Sequence, residues 1–589
     1  GRQQAVDLPY ARNAQNLMRL TPGVNPIQTG QSSIPSVNGQ INRSNMYMLD
    51  GVNNQAIFQS NLALNPITET IEEFKVQSHN DSAEVGGVLG GLINIVTKSG
   101  TNSLRGNIYN IEQNDAFNAR NAFLTSVAPF KGHTFGGTLG GPVWVPNLYN
   151  GRNRTFFFAG YQYFQSRSPA LSFFRVPTEA NLNGDFSDWP KQIYNPFTTR
   201  PDPTQPGAYV RDPFPGNRIP ASMLNPGMVY YARTVLPAPE VTGIADRNAV
   251  NRALNVSQIH SVNARIDHKF TDMDSVWFRY SGTYAPTDAA STIPALSRRS
   301  NTRSHNFGAN WVRIFGPSST LQVSIGRALQ SVRVEEHFNS LPADFVQKVG
   351  YSANVNAKYL DGAVHLPAFN PANFWSGGEQ ATLNRPGDSW HFKAGFTKLF
   401  GAHTLKFGGE YNQVGWFTQQ GVTTIGFADA QTADPQSLAT TGSSLASFLL
   451  DVPDSAVRRD IVETMPGWGG TIGFYFQDSW KATAKLTLNI GLRYDRTFIP
   501  TAGTDDAGNN MVGNMDYNRG KYVLQKTAPP CETAQRPPCV PAPPGAPAGW
   551  LPPNVEISPT GKIFEDTKLN FQPRLGVAYR VTDRLVLRA

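Results

Sequence analysis

Long apolar runs are absent from this sequence. No segment of its 589 residues offers about 18 consecutive apolar residues, the length that a transmembrane helix needs. This excludes a protein that crosses a membrane with helices. A protein that crosses with strands is not excluded, because such strands are segments of about ten residues in which apolar and polar side chains alternate.

Charge is scarce and dispersed. Charged residues make up 16% of the chain, and the net charge of +8 comes without any long run of Lys or Arg. A basic patch that binds nucleic acid is therefore not predicted. The 53 glycines and the aromatic content of 11% suit many strands and turns, and they argue against a disordered chain.

Cysteine is almost absent. Cys531 and Cys539 both lie in a Pro-rich segment, where their close spacing is compatible with a local disulfide. Such a bond would imply an oxidising compartment. No pair of histidines accompanies the two cysteines, so a zinc site is not expected.

The sequence also offers little for catalysis or for a cofactor. His79 and Asp81 beside Ser82 are best interpreted as a polar turn, so we predict that the protein is not an enzyme. The segment from Asp505 to Asp516 is rich in the oxygen ligands that Ca²⁺ prefers. It lacks the closing Glu of a calcium loop, so solvated turn residues are favoured and calcium is kept as the alternative.

The pattern of apolar and polar residues changes across residues 71–110. A short strand at 71–76, a polar turn and a glycine cluster lead to a β-branched run at 93–97. Upstream, the pattern predicts a compact mixed segment with a short helix at 13–20, strands at 37–39 and 46–49, and a turn at 68–70. Downstream, from about Arg105, the pattern predicts long strands separated by polar loops.

Each of the later strands has one apolar and one polar face. The clearest example places Leu488, Ile490 and Leu492 opposite Asn489, Gly491 and Arg493. Strands of about ten residues with this pattern can cross a bilayer obliquely. Part of a set of aromatic side chains is expected to form girdles at the membrane interfaces, and the set includes Phe157, Phe158, Tyr161, Trp311, Phe474, Tyr475, Phe476 and Trp480.

Tight turns and long loops alternate along the chain. The turns lie near 271–274, 315–318, 400–403, 481–484 and 581–584, and the loops near 166–256, 284–303, 332–388, 416–468 and 498–568. This alternation is typical of an outer-membrane barrel, with short periplasmic turns and long external loops. A soluble sandwich would have short turns at both ends.

Two sets of motifs resemble those of TonB-dependent outer-membrane receptors. The first set resembles the motifs of the receptors' plug and consists of Tyr47, Leu49, Asp50, Gly51, Glu72, Phe74, Val76, Ser82, Gly86, Gly91, Asn94, Val96, Thr97 and Lys98. The second resembles a hairpin of the receptors' barrel and consists of Gln477, Asp478, Trp480, Leu488, Gly491, Arg493 and Tyr494. Segments 100–106 and 140–162 are most similar to the Oar-like subgroup of the family.

The resemblance implies an all-β transmembrane antiparallel β-barrel with a small α+β N-terminal plug domain. The plug is expected at residues 1–103 and a partial barrel with long extracellular loops at 104–589. The chain offers about 13 of the roughly 22 strands with which these receptors close. We therefore expect a fragment that holds the plug and the first part of the barrel.

The resemblance also implies a function. A receptor of this kind lies in the outer membrane of a Gram-negative-type cell, surrounded by outer-membrane lipid, and imports an extracellular solute through the plug-gated barrel. A TonB-ExbB-ExbD-type complex would energise import through a segment ahead of Gly1, and the loops do not identify the ligand. The alternative is a surface adhesin or protein-export barrel without energised uptake, which would need no plug.

Overall fold

The computed structural model describes most of the chain. The described residues are 17–18, 21–25, 35–41, 44–56, 61–77, 82–86, 90–120, 127, 129–169, 171–241, 246–289, 293, 297–336, 341–342, 344–350, 367–377, 381–498, 513–525, 527, 542–547, 549–561 and 568–588. Cys531, Cys539 and residues 505–512 of the calcium alternative lie outside them. Among the residues described, no helix is long and apolar enough to cross a membrane.

The first hundred residues form a small domain built on a β-sheet, and we call this domain the plug. Its strands are β1 (Val24–Asn25), β2 (Ser36–Val37), β3 (Met46–Leu49), β4 (Val52–Asn53), β5 (Ile71–Gln77) and β6 (Leu92–Thr97). Four of them form one sheet in the order β4-β3-β6-β5, in which β3 and β6 run parallel. Its core is formed by the buried side chains Met18, Val37, Tyr47, Leu49, Leu64, Ile71, Ile93 and Ile95.

The elements predicted for the plug are largely present. The strand predicted at 46–49 is β3, and the turn predicted at 68–70 is the 3-10 helix Thr68–Thr70. Of the predicted helix at 13–20, only Leu17 and Met18 lie among the described residues, and both are helical.

The rest of the chain is dominated by strands. They are β7 (Arg105–Asn114), β8 (Lys131–Pro142), β9 (Trp144–Val145), β10 (Tyr149–Asn150), β11 (Thr155–Pro169), β12 (Ser172–Phe174), β13 (Arg200–Pro201), β14 (Tyr209–Val210), β15 (Ala249–Asn251), β16 (Leu254–Lys269), β17 (Asp274–Ala289), β18 (Arg298–Ile314), β19 (Ser319–Glu336), β20 (Ala368–Pro371), β21 (Ala381–Phe400), β22 (His403–Phe427), β23 (Ser455–Lys481), β24 (Leu486–Phe498), β25 (Gly513–Asp516), β26 (Lys521–Leu524), β27 (Val555–Ile557), β28 (Phe571–Thr582) and β29 (Leu585–Arg588).

Thirteen of these strands follow one another in a single antiparallel sheet, which we call the wall. The order is β7-β8-β11-β16-β17-β18-β19-β21-β22-β23-β24-β28-β29, and β20 adds to β22 in parallel. The predicted fold class and the count of about thirteen strands are thereby confirmed. Among the described residues the sheet is open, with β7 and β29 at its edges.

The two faces of the wall differ as the alternation predicts. On the outer face, Phe278, Phe474 and Leu492 are each about half exposed. On the inner face, which carries the plug, Asn263, Asn306 and Arg493 are buried. An outer surface of large apolar side chains suits lipid, since water would disfavour so large an apolar area.

The aromatic residues divide between the two faces. Phe474 and Phe476 lie on the outer face, as expected for girdle residues. Phe158 and Tyr475 point to the inner face and are buried. Because successive side chains of a strand point to opposite faces, a run of neighbouring aromatics cannot lie wholly in a girdle.

The strands of one hairpin are longer than predicted. β22 has 25 residues and β23 has 27, and they pair from His403 opposite Trp480 to Gly426 opposite Ser455. About half of the predicted loop at 416–468 is therefore strand. Outside lipid a hairpin keeps its ladder of hydrogen bonds but no longer needs an apolar face. The alternation of apolar and polar residues, from which these strands were predicted, therefore ends before the strands end.

The segments predicted as long loops differ from the prediction in another respect. Four segments of the chain form a folded unit at the long-loop end of the wall, which we call the cap. They are described at 171–241 and 246–253, at 341–342 and 344–350, at 367–377, and at 428–454. Its helices are α1 (Glu179–Leu182), α2 (Pro226–Val235), α3 (Phe345–Val349) and α4 (Ser444–Leu449), and the 3-10 helices are Pro196–Thr198, Pro215–Asn217, Ala221–Met223 and Asp429–Thr432. Side chains from all four segments share one buried core, which includes Phe186, Tyr231, Phe345, Phe369 and Phe448.

Local sequence signals explain the helices of the cap. Thr178 caps α1 and forms a reciprocal pair of hydrogen bonds with Asn181. Asn225 caps α2, and Pro226 follows at the first helical position. Ser443 caps α4. Each cap satisfies backbone N–H groups that a helix start would otherwise leave unpaired.

Candidate functional site

The candidate site is the contact between the plug and the inner face of the wall. It begins at Asp50, in the turn after β3, where Asp50 and Gly51 both adopt positive φ. The Thr97 N–H and hydroxyl each donate to the Asp50 carboxylate at 2.8 Å. The predicted residues Asp50 and Thr97 are therefore joined to each other inside the plug.

Two arginines of the wall complete this Asp50 cluster. Arg279 Nε lies 2.8 Å from one carboxylate oxygen of Asp50, and Arg265 Nη1 lies 3.3 Å from the other. Arg265 also pairs with Asp267 at 2.8 Å. The Asp50 side chain is 2% exposed and that of Arg279 is 0% exposed, so both charges are stabilised by each other rather than by water.

The two sets of predicted motifs meet at a second point. The Ala83 N–H donates to Gln477 Oε1 at 2.8 Å, and the Ser82 hydroxyl donates to the same atom at 3.2 Å. Arg493 Nη1 donates to the carbonyls of Ala83 and Glu84 at 3.4 and 3.2 Å. Residues about 400 positions apart, which the resemblance assigned to the plug and to the barrel, thus form one contact.

Arg493 belongs to a buried polar network, which we call the Arg493 network. Its guanidinium pairs with Asp495 at 2.7 Å and with Glu410. Glu410 also lies 3.1 Å from His391 Nε2, and His391 Nδ1 accepts a hydrogen bond from the backbone of Asn53 in the plug. Every charged side chain in this network has a partner, as buried charges require.

An ion pair at the edge of the same contact joins Glu84 of the plug to the wall. The Glu84 carboxylate lies 2.7 Å from Lys393 Nζ and 3.9 Å from Lys406 Nζ. Burial opposes ionisation of Glu84, but the charge and hydrogen bond of Lys393, together with the charge of Lys406, outweigh it and lower the pKa of this carboxyl below its ordinary value.

Close approach of the plug requires glycine at two wall positions. A Cβ at Gly326 would lie 2.6 Å from the Val52 Cβ, and a Cβ at Gly491 would lie 3.0 Å from the Ala83 Cβ. Gly86 of the plug is constrained in the same way, because a Cβ there would overlap the guanidinium of Arg493. Gly86 and Gly491 belong to the predicted motifs.

The other predicted plug residues support the sheet rather than the contact. Tyr47 and Leu49 lie in the core, and Phe74 and Val76 pack against it. Burial raises the pKa of Tyr47 to about 12. Glu72 is exposed and Val96 is partly buried.

The remaining plug positions of the motif bond to their own domain. Asn94 Oδ1 accepts a hydrogen bond from the Gly51 N–H at 3.2 Å. Gly91 packs against Val37, and Lys98 donates to the carbonyl of Glu69.

The other predicted barrel residues lie away from the plug. Asp478 pairs with His403 at 2.7 Å near a short turn, and Trp480 stacks on the same histidine at 5.5 Å. Leu488 and Tyr494 lie on the outer face, since they alternate with the inward Gly491 and Arg493. These residues shape the wall and do not contact the plug.

Several residues of the contact were not predicted. Arg265, Arg279, His391 and Glu410 all point inward from wall strands. In the sequence, such a residue can be recognised as a charged side chain on the polar face of an alternating strand. Arg279, which stands among aromatic residues, is an example. That signal gives the face of the residue but not its partner, because the partner lies more than 200 positions away.

In the described part of the chain, no group of three or more His, Cys, Asp and Glu is placed to hold a metal ion. Asp516, the last residue of the calcium alternative, pairs with Arg519 at 2.7 Å. Its other members at 505–512 fall outside the described ranges, so the alternative stays untested.

Comparisons with known proteins agree with this architecture. A family model described as "Outer membrane beta barrel domain" matches residues 96–589. The TonB-dependent transporter Oar of Myxococcus xanthus is 24% identical over an alignment 545 residues long, which covers 82% of this chain and 45% of that protein. The resemblance to Oar-like receptors is thereby confirmed. This chain spans about half the length of the curated relative it matches.

A solved structure shares the fold. The outer membrane transporter YddB from Escherichia coli superposes with a TM-score of 0.50 at 12% identity, over 85% of this chain and 57% of that one. At this identity the likeness shows the fold alone.

Proposed function

Because the chain belongs to the outer membrane beta barrel domain family, we propose that it acts in the outer membrane as a receptor that imports an extracellular solute through a plug-gated barrel. The observation that carries this proposal is the polar contact between plug and wall. The Asp50 cluster and the Arg493 network join the two parts through ion pairs and hydrogen bonds.

A polar contact is the kind that a movable plug needs. If the plug leaves the wall, each separated charge and hydrogen-bonding group can be hydrated by water that enters the lumen. An apolar contact would instead expose hydrophobic surface to that water at every opening. A gap of about 190 Å³ beside Gly86, His391, Glu410 and Arg493 already separates plug from wall at one point.

The same contact explains why opening would need energy. Before water enters the lumen, loss of one partner of a buried ion pair leaves the other charge buried and unpaired, which costs about 3–5 kcal/mol. A plug held by several such pairs therefore stays seated at rest. We propose that a TonB-type complex supplies the work by pulling on the plug, as the name of the Oar relative suggests for that protein. The function is binding and gated transport, with no bond made or broken, so the protein would not be an enzyme.

Comparative depletion of the medium tests this proposal without knowledge of the ligand. Wild-type cells, cells that lack this gene and cells that lack TonB are grown in one complex medium, and the solutes that remain are quantified by mass spectrometry. The proposal predicts at least one solute that only the wild type depletes. Equal depletion by all three strains would contradict import, and depletion by the TonB-deficient strain would contradict energisation.

A further inference from the structure

The cap contains a cleft of about 740 Å³, well away from the plug contact. Its walls include Arg175, Trp189, Lys191, Asp246, Phe374 and Trp375. Small-molecule sites have volumes of roughly 300–1,000 Å³ and combine apolar walls with a few placed polar groups. This cleft has both properties.

Arg175 is held in the cleft by two aromatic rings. Its guanidinium carbon lies 4.5 Å from the centre of the Trp189 ring and 5.2 Å from that of Phe374. The two rings stack on each other at 5.6 Å. A guanidinium fixed by its face keeps its N–H edge for hydrogen bonds, and that edge matches a carboxylate.

The partner of Arg175 within the chain is weakly placed. Asp246 lies 3.3 Å away, and its side chain is 87% exposed. A pair of this kind is loose and screened by water. An incoming carboxylate can therefore replace or join Asp246 at the guanidinium edge.

The remaining charges give the cleft a positive balance. Lys191 pairs with Asp429 at 2.9 Å, and Asp429 is also held by the Ser444 N–H at 2.7 Å. Arg247 adds a third, exposed cation at the rim. Three cations thus face two carboxylates, which favours an anionic ligand.

We propose that this cleft binds a carboxylate-bearing solute the size of a short oligosaccharide, with the carboxylate on the N–H edge of Arg175. The inference rests on the proposed import function for its biological meaning, because the cleft would be the place where the receptor first captures its cargo.

Calorimetry on the detergent-solubilised receptor tests the ligand class. The probes are digalacturonate, citrate and the neutral disaccharide with the linkage of digalacturonate. We expect a carboxylate probe to bind and the neutral disaccharide to bind at least tenfold more weakly. Equal affinity for the neutral probe, or no binding of either carboxylate, would overturn the inference.

Two substitutions test the residues. Arg175→Gln should weaken carboxylate binding at least tenfold, whereas Arg218→Gln should leave it unchanged. Arg218 is the matched control because it pairs with Asp185 at 3.1 Å in the same cap but does not line the cleft. Equal losses in both variants would contradict the assignment.

Arg175→Lys covers the case in which Arg175→Gln fails to fold. It keeps the positive charge and removes the planar N–H edge, so we expect carboxylate binding to weaken by about threefold or more. Unchanged carboxylate binding by this variant would contradict the role of the Arg175 edge.

The two proposals fail in different experiments. If cells import a solute through the receptor but the purified receptor binds neither carboxylate, the ligand proposed for the cleft is wrong. The import proposal then still stands. A receptor that binds digalacturonate in detergent but depletes no solute in a TonB-dependent way supports the cleft and overturns import.

Discussion

Asp50 is the plug residue whose charge bears most directly on the contact with the wall. Asp50→Asn preserves its shape but leaves the buried Arg279 without a counter-charge, which costs about 3–5 kcal/mol. We expect β3 and β6 of the plug to lose protection against hydrogen exchange at a lower urea concentration than in the wild type, while the wall strands keep theirs.

Asp272→Asn is the control for that experiment. Asp272 also pairs with a cation, Lys269 at 2.7 Å, but its side chain is 96% exposed on a short turn. Exposed pairs contribute little to stability, so this variant should match the wild type. Coincident urea midpoints for Asp50→Asn and Asp272→Asn would contradict the role of Asp50.

Glu84 should make the plug contact sensitive to acid. Its pKa in the folded protein lies below the ordinary value of 4.5, so its pair with Lys393 stabilises the contact above that pH and is lost as the pH falls through the lowered pKa. We expect the urea concentration that releases the plug to fall between pH 6 and pH 3. Glu84→Gln should start lower and lose less over the same range, and parallel curves for the two proteins would contradict this.

At the residue scale, the sequence motifs located the plug residues of the contact better than the wall residues. Ser82, Gly86, Gln477 and Arg493 were predicted as motif residues and do meet. Arg265 and Arg279 were missed, because a motif match carries over only the positions that it contains. In the sequence, a lone arginine on the polar face of a strand has the same pattern whether water solvates it or a plug aspartate pairs with it.

At the scale of elements, the wall strands were predictable because lipid imposes an apolar face on them. The tight turns predicted at 271–274, 315–318 and 400–403 all fall between consecutive wall strands. The far ends of β22 and β23 were not predictable in this way, because they extend past the region where the alternation is required.

The cap was missed for a different reason. Its apolar residues, such as Phe174, Phe186 and Phe214, have no helical or strand period. They are drawn from four separate segments, and only the folded chain shows that they share one core. A sequence rich in Gly, Pro and Asn therefore looked like loops although it buries a core.

Arg211 joins two segments of the cap. Its Nη1 donates to the carbonyls of Ala430, Gln431 and Ala433, each at 2.9 Å. Burial lowers the pKa of this guanidinium. We expect Arg211→Met to increase hydrogen exchange at 428–433 and to leave the wall unchanged, because three partly buried carbonyls lose their donor.

The control for Arg211 is Arg200→Met. Arg200 pairs with Asp212 at 2.8 Å, and both side chains are about half exposed. This variant should exchange like the wild type at 428–433. An equal increase in both variants would mean that Arg211 does not hold the two segments together.

At the scale of the whole molecule, the plug and the cap both lie against the wall. The cap stands at the long-loop end, and the plug lies on the inner face of the wall, where β4 contacts β19 and β21. A barrel for adhesion or protein export would need no plug in that position. The arrangement therefore favours gated import over the alternative.

A reversible bridge between plug and wall tests the gate most directly. Ser82 and Gln477, whose side-chain oxygens lie 3.2 Å apart, are replaced by cysteines in a receptor whose Cys531 and Cys539 are replaced by serine. A thiol-cleavable crosslinker then joins them in cells, and uptake is measured for a solute whose depletion depends on this gene. If the plug gates the path, bridged cells should import none of the solute and should recover import after reduction. Unchanged import by the bridged receptor would contradict the plug as the gate.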